Sequence, residues 1–206
     1  MSTTEESVVA APPLAVADPA PLGLAAFALT TFLLSAANAH WMTSATGDAW
    51  LGYAFAYGGL GQLLAGIYEF RNKNVFGATA FSTYAGFWIG LGLWLLLVAP
   101  HAASATAANH DLGWILLAFA IFNTYMLLWS TAVNGAVFGV FLTLEATEIV
   151  LFIGFFANNT SIIKVGGYVG ILTALVAWYA SAAGVITGIR GRAVLPVGKP
   201  FGRLGS

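Results

Sequence analysis

Within long apolar stretches of this chain stand a few side chains that hydrocarbon does not tolerate without a partner or water. They are Gln62, Asn123, Glu145 and Glu148, with Thr143 and Thr147 beside the two acids. A buried amide can donate to a carboxylate that has shed its water, and a buried carboxyl can hold a proton. Hydrogen bonding between helices is the plainer alternative for all four. Glu145 and Glu148 are three apart and therefore neighbours on a helix surface. Glu148 lies four residues beyond Leu144 and shares its face, while Glu145 points about 100° away. Two adjacent acids in a poorly hydrated site should not both be ionised, because desolvation and mutual repulsion each oppose the second charge.

Other chemistries are excluded by what is missing. The chain has no Cys, so disulfides, thiolate metal sites and cysteine catalysis are out, and three His without a second-ligand pattern give no metal site. No cofactor is implied. A retinal Schiff base needs a mid-span Lys, which none of the apolar stretches contains, and no cluster of His, Asp or Ser at depth suits membrane hydrolysis. A net charge of -1 predicts no nucleic-acid partner. What remains is a transport protein or channel rather than an enzyme, with a purely structural membrane protein as the competitor.

The elements that must position these residues follow from hydropathy. Of 206 residues, 59% are hydrophobic and 7% charged, against roughly 25% charged in soluble domains. The chain therefore reads as an all-α integral membrane protein in contact with the lipid bilayer. Six apolar stretches, about 22–41, 50–70, 76–99, 112–131, 136–157 and 165–189, predict a six-transmembrane-helix bundle over residues 18–190. Breaks are expected at 43–48, 71–74, 100–111, 133–135 and 158–164. Residues 1–17 carry two Glu and no Lys or Arg, which predicts a retained disordered tail, not a secretory signal. Residues 191–206 form a second tail. Asp18-Pro19-Ala20-Pro21 starts the first helix, since Asp caps free N–H groups and Pro is tolerated in a first turn.

Orientation comes from Lys and Arg. Arg71, Lys73, Arg190, Arg192, Lys199 and Arg203 fall on one side and Lys164 on the other, so both termini are expected in the cytoplasm of a plasma-membrane protein. Trp41, Trp50 and Trp114 then mark the outer interface and Trp129 the inner one. Gly86 and Gly90, Gly135 and Gly139, Gly166 and Gly170, and Gly184 and Gly188 recur four apart, as close helix packing requires. Counted along the helices, Gln62 and Asn123 lie roughly 18 Å and 16 Å from the outer ends, near the midplane.

Two separated motifs then point to one family. Asp18-Pro19-Ala20-Pro21-Leu22-Gly23-Leu24 resembles the signature opening of the acetate uptake transporter family, the succinate-acetate permeases of microbes. Tyr57-Gly58-Gly59-Leu60-Gly61-Gln62, then Ala65-Gly66, Glu69, Asn74, Phe76-Gly77, Thr79-Ala80-Phe81, Tyr84 and Phe87-Trp88 extend the likeness, which runs to about Pro196. Asp18 stands where the family has Asn, which adds a negative charge at the pore mouth.

The resemblance implies a homohexamer with a separate pore in each six-helix protomer, passing acetate, related small monocarboxylates and, at the limit, succinate. It also implies a hydrophobic constriction that falls on Phe27, Tyr84 and Leu144, with a small residue governing solute size at Ala177. Depth counting puts the three constriction residues roughly 8–12 Å from the inner end. A narrow apolar ring suits an acid with a methyl tail, because aromatic edges can face a carboxylate while their bulk excludes longer chains. Gln62 and Asn123 could donate to the desolvated carboxylate, and the helix start at Pro19–Leu22 offers further anion attraction. Glu148 is expected to carry a proton during transport and to couple its entry to that of the carboxylate. A channel for neutral amides or urea is the alternative function.

Overall fold

The computed structural model describes residues 16–42 and 48–202. Most of the expected N-terminal tail, most of the first break and Arg203 lie outside the described residues. The regular structure of the described residues is all helical: α1 (Ala20–Asn38), α2 (Trp50–Tyr53), a π-helical turn (Ala54–Gly59), α3 (Leu60–Arg71), α4 (Val75–Leu93), α5 (Ala105–Ser130), α6 (Gly135–Phe156) and α7 (Thr160–Arg190). Among the described residues, five helices are long and apolar enough to cross a membrane: α1, α4 with its π and 3₁₀ extension to His101, α5, α6 and α7. The sixth expected span is α2, the π turn and α3 in unbroken succession, and the π turn divides it.

Two expected breaks are mostly helix. α5 begins at Ala105, where the Ser104 hydroxyl accepts the Ala107 N–H at 3.1 Å. α7 begins at Thr160, where Asn159 Oδ1 accepts the Ser161 and Ile162 N–H groups at 3.0 and 3.2 Å. The polar residues there mark where a helix leaves hydrocarbon, not where it starts, and the cap residues mark the start. Lys164, assigned to a loop by hydropathy, is an exposed residue of α7. Asn74 and Asn134 cap α4 and α6 in the same way.

The bundle packs α1 along α7, α7 along α6, α6 along α5, and α3 along α4. Its outer surface is apolar, with Leu60, Phe70, Leu97, Ile121 and Leu128 all exposed, as a lipid-facing surface requires. Trp41, Trp114 and Trp129 share that exposure, but Trp50 is only 5% exposed and belongs to the core instead of an interfacial belt. The glycine pairs divide in the same way. A Cβ on Gly166 or Gly184 would fall 2.5 Å from Leu151 or 2.7 Å from Pro21, whereas Gly86, Gly90 and Gly188 have nothing within 4 Å. Close packing within the chain thus explains some of these glycines and not others.

The opening motif ties α1 into the bundle. Asp18 Oδ1 accepts the Ala20 N–H at 3.0 Å, and the Pro21 carbonyl accepts from the Ser181 hydroxyl at 2.7 Å. A Cβ on Gly23 would sit 2.6 Å from the Phe81 ring, so only glycine lets α1 approach α4 here. At the other end of the chain, α7 stops at Gly191, whose φ of 65° suits glycine best. The segment beyond it is docked, not free, through residue 202. Tyr179 donates to the Pro196 carbonyl at 2.6 Å, Ala136 N–H to Val197 O at 2.8 Å, and Phe201 N–H to Thr131 O at 2.9 Å.

Candidate functional site

The π turn at Ala54–Gly59 carries the Tyr-Gly-Gly sequence, and it sets how α3 faces the bundle. Gly58 and Gly59 press against Trp88 and Ile89, so close that a Cβ would fall 2.7 and 2.6 Å from those side chains. A π turn inserts a residue into the helical register, and such turns frequently occur at functional sites. Below it, Gln62, Ala65, Gly66 and Glu69 all turn inward and are buried.

Between these helices lies a cavity of about 80 Å³ at the end of the bundle where α1 begins. That is several times the roughly 10–15 Å³ needed for one water. Its wall includes Phe27, Gln62, Glu69, Tyr84, Phe141 and Leu144 and is otherwise almost wholly apolar. The structure thus brings Phe27, Tyr84, Leu144 and Gln62 to one space. The Phe27 and Tyr84 rings meet edge-on with centroids 5.7 Å apart. Ala177 is fully buried in the adjoining core but does not line the cavity. A second cavity, about 310 Å³, opens at the other end beside Trp50, Trp94, Leu116 and Leu151. Phe87 and Phe119, centroids 4.7 Å apart, pack with Tyr84 at the depth between the two.

The remaining polar candidates form a network behind Tyr84. Its hydroxyl lies 3.2 Å from Asn123 Oδ1 and 3.2 Å from Glu148 Oε1. Asn123 donates one amide proton to the Phe141 carbonyl at 3.0 Å and the other to Glu145 Oε2 at 2.6 Å. The Thr124 hydroxyl is 2.9 Å from Ala120 O and 2.8 Å from Glu145 Oε1. Asn123 is therefore fully engaged and has no proton left for a solute. Glu148 is 3% exposed and its face does follow Leu144, but its side chain reaches Tyr84 instead of lining the cavity.

Within this network Glu148 Oε2 has no hydrogen-bond partner, a state it shares with Gln62 and Glu69, but those two line the cavity. Each is 1% exposed, and the Oε1 atom of each has no hydrogen-bond partner. Glu69 was quoted in a motif but not singled out by sequence reasoning. Its signal was available, since seven residues separate it from Gln62 and place both on one helix face. Phe87, Phe119 and Phe141 were also missed, because aromatic residues are common throughout this chain and their depth alone marks none of them. No group of three or more His, Asp or Glu able to hold a metal occurs among the described residues.

Membrane-length helices, an apolar cavity between them and polar side chains held at depth define a helical membrane transport protein. The sequence pattern of the GPR1/FUN34/yaaH family matches residues 2–198, and the chain belongs to that family. It is 39% identical over 195 residues to acetate permease A of Emericella nidulans, covering 88% of this chain and 65% of that one. It is 38% identical over 189 residues to accumulation of dyads protein 2 of Saccharomyces cerevisiae, covering 90% and 67%. The chain thus spans about two-thirds of the length of these fungal relatives. It is 34% identical over 185 residues to the succinate-acetate/proton symporter SatP of Escherichia coli, covering 89% and 96%. The solved structure of the bacterial acetate channel SatP matches with a TM-score of 0.82 at 34% identity, over 89% of this chain and all of that one.

Proposed function

We propose that this protein passes acetate and related small monocarboxylates, with succinate at the limit of size, through a narrow apolar path in each protomer. The observation that carries this reading is the cavity between Phe27, Tyr84 and Leu144, lined by Gln62, Glu69 and Asn74 and otherwise by aromatic and aliphatic groups. A methyl group fits the apolar wall, and the positive edges of the rings can face a carboxylate. The relatives named for acetate support the carboxylate over a neutral amide or urea. Ala177, packed behind the path, limits how far the wall can yield.

Glu148 is the proton-carrying group in this scheme. The Tyr84 hydroxyl has one proton and two neighbours, and Asn123 Oδ1 can only accept. Both hydrogen bonds form together when Tyr84 donates to Asn123 and a protonated Glu148 donates to the Tyr84 oxygen. A neutral Glu148 here spares an anion the repulsion of a fixed charge.

The protomer has six spans, with α2, the π turn and α3 as the sixth, and both termini face the cytoplasm of the plasma membrane. Six protomers assemble, and the outward Gly86 and Gly90 of α4 give neighbouring protomers a surface for close approach. Residues 18–190 form the membrane domain, flanked by the two tails.

Purified protein in liposomes should pass acetate and not urea. Urea passage without acetate, or passage of neither, overturns the reading. For topology, single Cys at Ala105 or Ser161 should react with an impermeant thiol reagent outside intact cells, whereas labelling at Asn74 or Gly191 from outside inverts the orientation.

A further inference from the structure

Buried polar side chains almost always find a partner, and each exception asks what the missing partner is. Gln62 and Glu69 are two exceptions on one helix face lining one cavity. At about 1.5 Å per residue they stand roughly 10 Å apart along α3, too far for one four-atom solute to touch both. They are two stations in series, with Glu69 nearer the end where α1 begins.

The surroundings of Glu69 are built to hold its carboxyl. A side chain at position 77 would fill that space, since a Cβ on Gly77 would sit 2.6 Å from Glu69 Oε1 and 2.7 Å from Asn74 Nδ2. Asn74 is itself held by capping α4. Among the residues lining the cavity, Glu69 and Tyr84 are the titratable ones, and α1, α4 and α6 otherwise present Ala20, Leu24, Phe76 and Val137. Asp18, ahead of α1, is the further acidic group close enough to act on Glu69. Arg71 is exposed, with its guanidinium over the Tyr68 ring at 5.7 Å from the centroid.

We propose that Glu69 is a binding station for the carboxyl group of the solute, which it holds through a single proton shared between the two carboxyls. The inference rests on the cavity being the carboxylate path. An ionised Glu69 would repel the anion and a carboxyl that shares one proton attracts it, so solute and proton occupy this station together. Whether the proton arrives on Glu69 or on the acid, the bound pair is the same. No bond other than this hydrogen bond forms or breaks. Gln62, which can donate without a proton from solution, takes the solute next.

Acetate affinity of the purified full chain, measured across pH, tests this. One shared proton makes wild-type Kd weaken about tenfold per pH unit on the alkaline side. Glu69→Gln should flatten that slope, and Glu69→Asp should keep it. An unchanged slope in Glu69→Gln, or a slope abolished only by Glu148→Gln, overturns the proposal. Should Glu69→Gln fail to fold, acetate-induced infrared difference spectra of the Glu148→Gln protein decide. A protonated side-chain carboxyl band insensitive to ¹³C in the acetate supports the station, and its absence overturns it. Wild-type protein that passes no acetate removes the transport reading itself, a result distinct from acetate passage with an unaltered slope.

Discussion

The two polar regions on either side of Tyr84 are made of the same residue types and differ in how far their hydrogen bonds close and in whether they line the cavity, with Glu148 Oε2 the open atom behind the ring. Behind the ring, Asn123 uses its carbonyl and both amide protons, and it joins Tyr84, Glu145 and the Phe141 carbonyl into one unit. In front of it, Gln62 and Glu69 are as deeply buried yet leave acceptor atoms open. The group centred on Asn123 holds the aromatic ring in place, and the open acceptors that line the cavity are left for the solute. Burial of polar side chains in a membrane protein thus has two meanings, and the hydrogen-bond inventory tells them apart where depth does not.

Removing a partner from the closed network should have the largest effect. Asn123→Leu leaves the Tyr84 hydroxyl, Glu145 and the Phe141 carbonyl each short of a bond, at about 1–3 kcal/mol apiece. Thermal unfolding in detergent should show a loss large enough to abolish assembly. A folded, active Asn123→Leu protein would break the distinction between the two regions.

The matching change in the open region should behave in the opposite way. Gln62→Leu removes an amide whose oxygen has no partner, and burying an apolar group there is neutral or stabilising. Melting temperature should hold or rise while acetate flux falls about tenfold, the equivalent of one lost hydrogen bond of about 1.4 kcal/mol at the barrier. A drop in stability comparable to that of Asn123→Leu would show that Gln62 is structural.

A subtler effect is expected at Glu148. Glu148→Gln keeps a donor for the Tyr84 oxygen, so the network survives and the protein assembles. The pH dependence of acetate uptake should flatten, because the group can no longer lose its proton. Normal pH dependence together with lost assembly would assign Glu148 a structural role.

Much of this was readable in the residues because hydrocarbon penalises every exception. Charge and hydropathy marked the spans, and the rarity of Gln, Asn and Glu at depth singled out Gln62, Asn123, Glu145 and Glu148. The caps Ser104 and Asn159 were equally readable, but a hydropathy window reports where a helix enters lipid and so began α5 and α7 too late. The π turn was not readable, since a register change has no residue of its own; only the Gly58-Gly59 pair hinted at it. The inward turn of Glu69 was readable, since it stands seven residues from Gln62 on the same helix face. That Asn123 is spent on its neighbours depends on which carbonyl lies opposite it, and spacing along one helix cannot supply that.

The most direct test of the path through Phe27, Tyr84 and Leu144 is liposome flux of acetate, propionate and butyrate through the wild type and Leu144→Ala. Truncating the aliphatic side of the ring should leave acetate passing and raise butyrate relative to acetate by about tenfold, since two methylenes at about 0.8 kcal/mol each gain room. An identical size series in both proteins, with Leu144→Ala folded, would place the solute path elsewhere.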